Sequence, residues 1–194
     1  GLTLGILAGI QPYSFVDNLS MSLALLGVSM PSFWLGLMLI YLFALQLNLL
    51  PALGSGSPRA LILPALTLGF QGSAIIARLT RSNLVEIMKS DYIKTARSKG
   101  LNSSGIVWGH ALRNALIPVI TVIGLQFGHL MSGAVVVETV FGRPGIGRLG
   151  LQGILEQDFP LVQGFVLFVA VFYVTANLFV DILYAFIDPR IRFT

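Results

Sequence analysis

The sequence contains no cysteine, which rules out a disulfide framework, a thiolate nucleophile and any Cys-ligated zinc or iron–sulfur site. Charge is nearly as scarce. Asp, Glu, Lys and Arg make up 10% of the 194 residues, where soluble domains carry about a quarter. The only histidines are His110 and His129, and with no G-x-S-x-G string a hydrolase would have neither its nucleophile elbow nor an obvious base. The phosphate-cradling string G-x-x-x-x-G-K-[ST] is missing too, so ATP hydrolysis by that route is not expected of this chain. No enzyme activity is expected, and no catalytic, cofactor-binding or metal-ligating residue is assigned. The opening GLTLGILAGI has no basic region ahead of it and is not a signal peptide. It reads as the tail of a hydrophobic helix begun upstream, which makes the chain an N-terminally truncated fragment in this reading.

What the sequence has in abundance is apolar surface. Hydrophobic residues supply 55% of the chain and mean hydropathy is +0.85, too much for the interior of one soluble domain to hide. A spanning helix needs about 20 mainly apolar residues, and windows near 19–47, 60–77, 114–137 and 161–187 meet that need. Pro31, Pro64 and Pro118 lie near helix starts or in kinking positions, which membrane helices tolerate. The expectation is one helical membrane domain.

The net charge of +4 would hint at nucleic acid in a soluble protein, but in a membrane protein it orients the loops; no nucleic-acid partner is expected. Residues 78–113 and the tail DPRIRFT hold nine of the twelve Lys and Arg, which places both in the cytoplasm by the positive-inside rule. Segments 48–59 and 138–160 then face outward. Within the basic stretch, Ser90 or Asp91 is positioned to cap a short helix over 92–99, with Gly100 as its left-handed terminator. Asn102 or Ser103 can cap a second helix that runs through Trp108 and Arg113 into the membrane. A basic amphipathic loop of this kind suits anionic lipid; a glycine turn between two capped helices suits docking of a partner.

YIKTARSKGL, HALRNALIPVITVIG, VVETVFGRPGIGRL, DFPLVQG and VDILYAFIDPRIR follow one another along the chain. In that order they resemble the membrane-spanning permease subunit of bacterial ABC importers for dipeptides, oligopeptides and nickel. The resemblance implies an all-α, polytopic type I importer transmembrane domain over residues 1–194, with about four full spans plus the end of another, in the bacterial inner membrane. It also implies a second permease, usually unlike the first, two cytoplasmic ATPases that bind ATP and Mg, and an extracytoplasmic solute-binding protein. Cargo would be a dipeptide, oligopeptide, glutathione or nickel chelate. In that family a short helix of the cytoplasmic loop, the EAA motif, sits in a cleft of the ATPase. The match around Gly100 places this coupling element at Tyr92 to Leu101 within the loop 78–113, with Lys94, Thr95 and Ala96 in the E-A-A positions and Lys99 and Gly100 following. Lys and Thr where the motif has Glu and Ala resemble the peptide and nickel branch, and leave a Glu-based contact without support. The alternative from another class is a secondary transporter or channel that works without ATPases.

Polar residues inside the spans carry two readings each. Gln126, His129 and Gly133 share a helix face and either line the translocation path or make interhelical hydrogen bonds; one histidine alone makes a poor metal site. Gln71, Gln163, Thr175 and Asn177 divide the same way. Asp181 is costly in a bilayer unless paired. The leading account is a structural ion pair with Arg190, Arg192 or the basic loop, and the other is proton coupling.

The stretch VVVETVFGRPGIGRLG matches G-x-G-x-x-G at Gly145, Gly147 and Gly150, a weak signal on its own. The next element is another span beginning near Pro160, so a dinucleotide fold has nowhere to place its second strand or its ribose-binding acid. The expectation is that VVVE ends a spanning helix. Gly142, Pro144, Gly145 and Gly147 then shape a folded outward loop, with Glu138 and Arg148 available to pair across it. The resemblance places this loop, Arg143 included, at the outer mouth near where the binding protein docks.

Overall fold

The structure, a computed structural model, describes residues 1–53 and 56–187, without the side chains of 127–129, 131–133, 181 and 183–187. Every regular element among the described residues is helical. They are α1 (Leu2–Ile10), α2 (Phe15–Ser29), α3 (Ser32–Leu39), α4 (Ile62–Ile87), α5 (Asp91–Ser98), α6 (Ser103–Ile106), α7 (Leu112–Ala115), α8 (Ile117–Val140), α9 (Ile146–Leu155) and α10 (Phe159–Ile187). A π-helical turn extends α3 over Ile40–Gln46 and another joins α6 to α7 over Val107–Ala111, while a 3₁₀ turn with Pro58 at its start leads into α4.

Two helices, Pro58–Ile87 and Phe159–Val180, are long and apolar enough to cross a membrane, and the number rises to four if each of two bent pairs makes one span. The first expected window is therefore not straight. It breaks at Pro31, which cannot donate to the helix ladder, and the helices on either side meet at 109°. The second window runs further than expected: α4 continues to Ile87, so residues 78–87 are helix and not loop. The third begins with a 47° bend between Ala115 and Ile117, next to Pro118.

The chain forms two compact units, one mainly from residues 1–29 and 72–123, the other from 30–71 and 124–182. In the first, α1 lies against α4 through Gly5 and Gly9. A Cβ at Gly5 would come within 2.6 Å of the Ala77 carbonyl and 2.7 Å of Thr80, and one at Gly9 within 2.9 Å of Leu84. Such backbone contact is how helices hold together where lipid removes the hydrophobic drive between them. Below it, Leu84, Ile93, Ala96, Ile106, Ala111 and Ala115 form a buried cluster capped by Ile6 and Ile10.

In the second unit Leu63, Val137 and Phe141 are buried together, flanked by Leu39, Phe43 and Leu68. Gly147, Gly150 and Gly153 make the buried face of α9; added Cβ atoms would strike Val135 of α8 and Phe165 and Leu161 of α10.

Three helices end in the same double hydrogen bond, in which the residue past the cap adopts a left-handed conformation. For α5, Gly100 (φ +81°) donates to Arg97 O at 2.9 Å and Leu101 to Ala96 O at 3.4 Å. For α8, Gly142 donates to Thr139 O and Arg143 to Glu138 O. For α9 the left-handed residue is Gln157 (φ +58°), donating to Ile154 O, with Asp158 donating to Gly153 O. A side chain in that region costs roughly 1–2 kcal/mol, part of which glycine returns as unfolded-state entropy. Gln157→Gly should therefore raise the unfolding midpoint in detergent, by about 1 kcal/mol in stability; a lowered midpoint would show that the Gln157 side chain holds something glycine cannot.

Candidate functional site

The segment from Ser90 to Ala115 builds a short helix, a turn and a second helix, all docked on the end of α4. In α5, Ile93 and Ala96 recur at helical spacing and both are buried, while Asp91, Tyr92, Lys94, Thr95, Arg97 and Lys99 are exposed. The inner face thus anchors the helix and the outer face offers three cations and one carboxylate. Lys94 Nζ lies 2.7 Å from Asp91 Oδ1, with both groups in solvent, so the pair adds little to stability. Tyr92 is exposed and its hydroxyl accepts from Asn114 Nδ2 at 3.0 Å, linking α5 to the second helix.

The expected caps are realised in part. Ser90 occupies the position before α5, but its hydroxyl donates back to Ile87 O at 2.6 Å and caps nothing. Asn102 does cap the next helix, its Oδ1 accepting from Gly105 N–H at 2.7 Å. Six of the seven residues assigned to this element by sequence, Tyr92, Lys94, Thr95, Lys99, Gly100 and Leu101, lie on the accessible side. Ala96, at 8% exposure, belongs to the buried cluster.

A second feature was not anticipated. Ser14 caps α2, its Oγ accepting from Asp17 N–H at 3.2 Å, and the Asp17 carboxylate reaches back to Tyr13 N–H at 2.7 Å. The same carboxylate receives both Nε (3.0 Å) and Nη2 (2.7 Å) of Arg81 from α4, and the guanidinium lies 5.7 Å from the centre of the Tyr13 ring. Asp17 is 2% exposed. A forked guanidinium–carboxylate pair of this kind fixes direction as well as distance. It fastens the α1–α2 turn to the stretch of α4 that supports α5. Ser-x-x-Asp ahead of an apolar run was the available sequence signal; its partner stands 64 positions further on.

In the GRPGIGRLG stretch residues 142–145 make a turn as expected, but helix begins at Ile146, so Gly147 belongs to α9 and not to a loop. From α8, Glu138 Oε2 accepts from Arg148 N–H at 2.8 Å, placing a carboxylate on the positive end of the α9 dipole. Glu138 and Arg148 do meet, then, but through the backbone amide and not as a side-chain pair. A Cβ at Gly145 would collide with the Glu138 carboxylate, and one at Gly147 would lie 2.8 Å from Val135; the glycines clear room for the cap. Arg143 Nη1 donates to Ala60 O at 3.3 Å.

Of the expected path residues, Gln126 is partly buried and its Nε2 has no hydrogen-bond partner among the described residues. His129 and Gly133 lie in α8, but their side-chain surroundings fall outside the described part, as do the side chain of Asp181 and all of Arg190 and Arg192. Thr175 is exposed and donates to Val171 O one turn back at 2.7 Å, so it needs no neighbour. Among the described residues no group of three or more His, Cys, Asp or Glu is placed to hold a metal.

A family model described as "Binding-protein-dependent transport system inner membrane component" matches residues 1–193. The chain is 44% identical over 221 aligned positions to the dipeptide transport system permease protein DppB of Alkalihalophilus pseudofirmus, covering all of this chain and 66% of the relative. It is 44% identical over 193 positions to the glutathione transport system permease protein GsiC of Escherichia coli strain K12, covering all of this chain and 63% of that protein. The chain thus spans just under two thirds of the length of these relatives. In fold it is similar to a chain of the inward-facing MetNI methionine ABC transporter, with a TM-score of 0.78 over 97% of this chain and 86% of that one at 17% identity.

Asp17 is buried while Arg81 keeps some solvent, so removing either partner should cost less than the roughly 3–5 kcal/mol of a fully buried pair. Asp17→Asn and Arg81→Gln should each lower the unfolding midpoint, and the double variant should be less destabilised than the two losses combined. Strict additivity in unfolding measurements would show that the two side chains act independently.

Proposed function

The chain belongs to the family of binding-protein-dependent transport system inner membrane components, and from that premise we propose that it is the permease subunit of an ATP-driven importer, forming half of the translocation path for small peptides. The proposal makes residues 1–194 part of an ABC transporter transmembrane domain. The names of the two relatives, for dipeptide and glutathione transport, support peptide cargo over a nickel chelate.

One observation carries the mechanism. α5 is buried on one face through Ile93 and Ala96 and exposed on the other, and Gly100 and Asn102 join it directly to the 103–115 helix that bends into α8. In this reading the exposed face, with Tyr92, Lys94, Thr95, Lys99 and Leu101, docks in a cleft of a cytoplasmic ATPase. The buried cluster shared with α1, α4 and 103–115 passes any displacement of α5 to those helices together, because close-packed contacts transmit shifts instead of absorbing them. ATP and Mg belong to the ATPase subunits. A second permease completes the pore, and a solute-binding protein delivers cargo from outside.

The orientation that follows has 78–113 and the C-terminus in the cytoplasm, in line with the concentration of Lys and Arg there. Residues 138–148, with Glu138, Arg143, Gly145, Gly147 and Arg148, then lie at the outer mouth. Gln126, His129 and Gly133 are assigned to the path; the unpartnered Gln126 amide supports this, being a donor suited to a peptide carbonyl or carboxylate.

Gly100→Val tests the coupling step. At φ +81° a β-branched residue is strained, and the turn that fixes α5 to the next helix should give way. Reconstituted with its ATPases and binding protein, the variant should insert and sustain ATP hydrolysis while uptake falls several-fold. Wild-type uptake would overturn the assignment of α5, and uptake driven by an ion gradient without ATPases would overturn the importer reading itself.

A further inference from the structure

In the first unit a groove of about 640 Å³ runs between α2 and α4. Its two walls are helix stripes: Leu25 and Val28 on α2, Ile75, Arg78 and Ser82 on α4, with Arg81 also lining it. The helices lie antiparallel, since Asp17 meets Arg81 at one end and Ala24 and Val28 pack with Ala74 and Ala77 at the other. The groove therefore has a polarity gradient along its length. At the Val28–Ile75 end it is hydrocarbon. Toward Arg81 and Ser82 it carries two guanidinium groups and a hydroxyl.

The two arginines are not equivalent. Both of the Arg81 nitrogens that donate are held by Asp17 in a forked pair, so its charge is matched within the protein. Arg78, one turn earlier on α4, is exposed and has no ion pair or hydrogen bond among the described residues. Among those residues, one cation without a counter-charge thus stands one turn from a hydroxyl at the head of an apolar channel. The channel is open to the surroundings, and Leu25 in its wall is 58% exposed.

We propose that this groove is a binding site for an anionic phospholipid, with the headgroup phosphate on Arg78 and Ser82 and an acyl chain along Leu25, Val28 and Ile75. The match is one of charge and of shape together. A free phosphate or a small polar solute would satisfy Arg78 and leave the hydrocarbon end empty, whereas a neutral lipid would fill the hydrocarbon end and leave the cation at the cytoplasmic membrane surface without a counter-charge. An anionic amphiphile answers both. Basic pockets between spanning helices take acidic headgroups for the same reason. The site lies on α4, the helix whose far end supports α5, so occupancy bears on the element assigned to coupling.

The test uses the complete purified transporter in nanodiscs of phosphatidylethanolamine with phosphatidylglycerol, read by native mass spectrometry of retained lipid. Wild type should hold phosphatidylglycerol, Arg78→Gln should bind it about fivefold more weakly, and Arg78→Lys should keep most of it. Equal retention by Arg78→Gln overturns the site. Because a loosened fold would also shed lipid, a fluorophore on Leu25→Cys in otherwise wild-type protein gives an independent reading. Stronger quenching by brominated phosphatidylglycerol than by brominated phosphatidylethanolamine supports the proposal. Equal quenching by both overturns headgroup selection, and efficient cross-linking of Leu25→Cys to another subunit shows that protein, not lipid, fills the groove.

Discussion

In a chain this apolar, hydrophobicity cannot tell one side of a helix from another, because lipid satisfies an apolar face as well as a neighbouring helix does. What distinguishes the packed side here is how closely two backbones can approach. Gly5 and Gly9 let α1 sit on α4, and Gly147, Gly150 and Gly153 let α9 sit on α8 and α10. Around these contacts the larger residues divide: Leu84, Ile93 and Ile106 are enclosed in one unit and Leu63, Val137 and Phe141 in the other. By contrast, no residue of the most apolar window of α10 is buried within the chain, as suits a surface left for lipid or another subunit.

Close packing holds helices side by side but leaves their axial positions loosely determined, and the polar contacts supply that second constraint. Asp17 and Arg81 can pair only at one register of α2 against α4, and Glu138 can cap α9 only when Gly145 and Gly147 bring the helix start beneath it. Each contact couples a turn to a long helix. The Asp17 carboxylate is also held by Tyr13 N–H, so little side-chain freedom remains to be lost when it meets Arg81.

Much of this was legible in the sequence, and what was missed follows a pattern. The helical membrane class, the Gly100 turn and the Asn102 cap depend on local chemistry, and the structure bears them out. The Asp17–Arg81 pair depends on residues 64 positions apart; Arg81 reads as a loop charge when the span is taken to end at residue 77, and α4 in fact runs ten residues further. α9 was hidden because glycine and proline are turn formers in most settings. Their spacing held the other answer: 147, 150 and 153 fall on one helix face, so Gly147, expected in the loop with Gly142, Pro144 and Gly145, is part of a contact surface. The break at Pro31 agrees with the expected kink, since proline cannot donate to the helix ladder.

At the positions that the resemblance aligns with E-A-A, burial separates the inward residue from the outward ones. Lys94 and Thr95, where the chain departs from Glu and Ala, are both exposed, whereas Ala96, where it agrees, is 8% exposed and packed with Leu84, Ile106, Ala111 and Ala115. An inward position facing a tight cluster tolerates no larger side chain without displacing the helix, so alanine there answers to the fold of this chain. An outward position answers only to whatever docks against it. A lysine and a threonine can therefore replace glutamate and alanine without disturbing α5, and under the proposed docking on an ATPase the specificity of the pairing would reside in those outward residues while the transmission of movement would reside in Ile93 and Ala96.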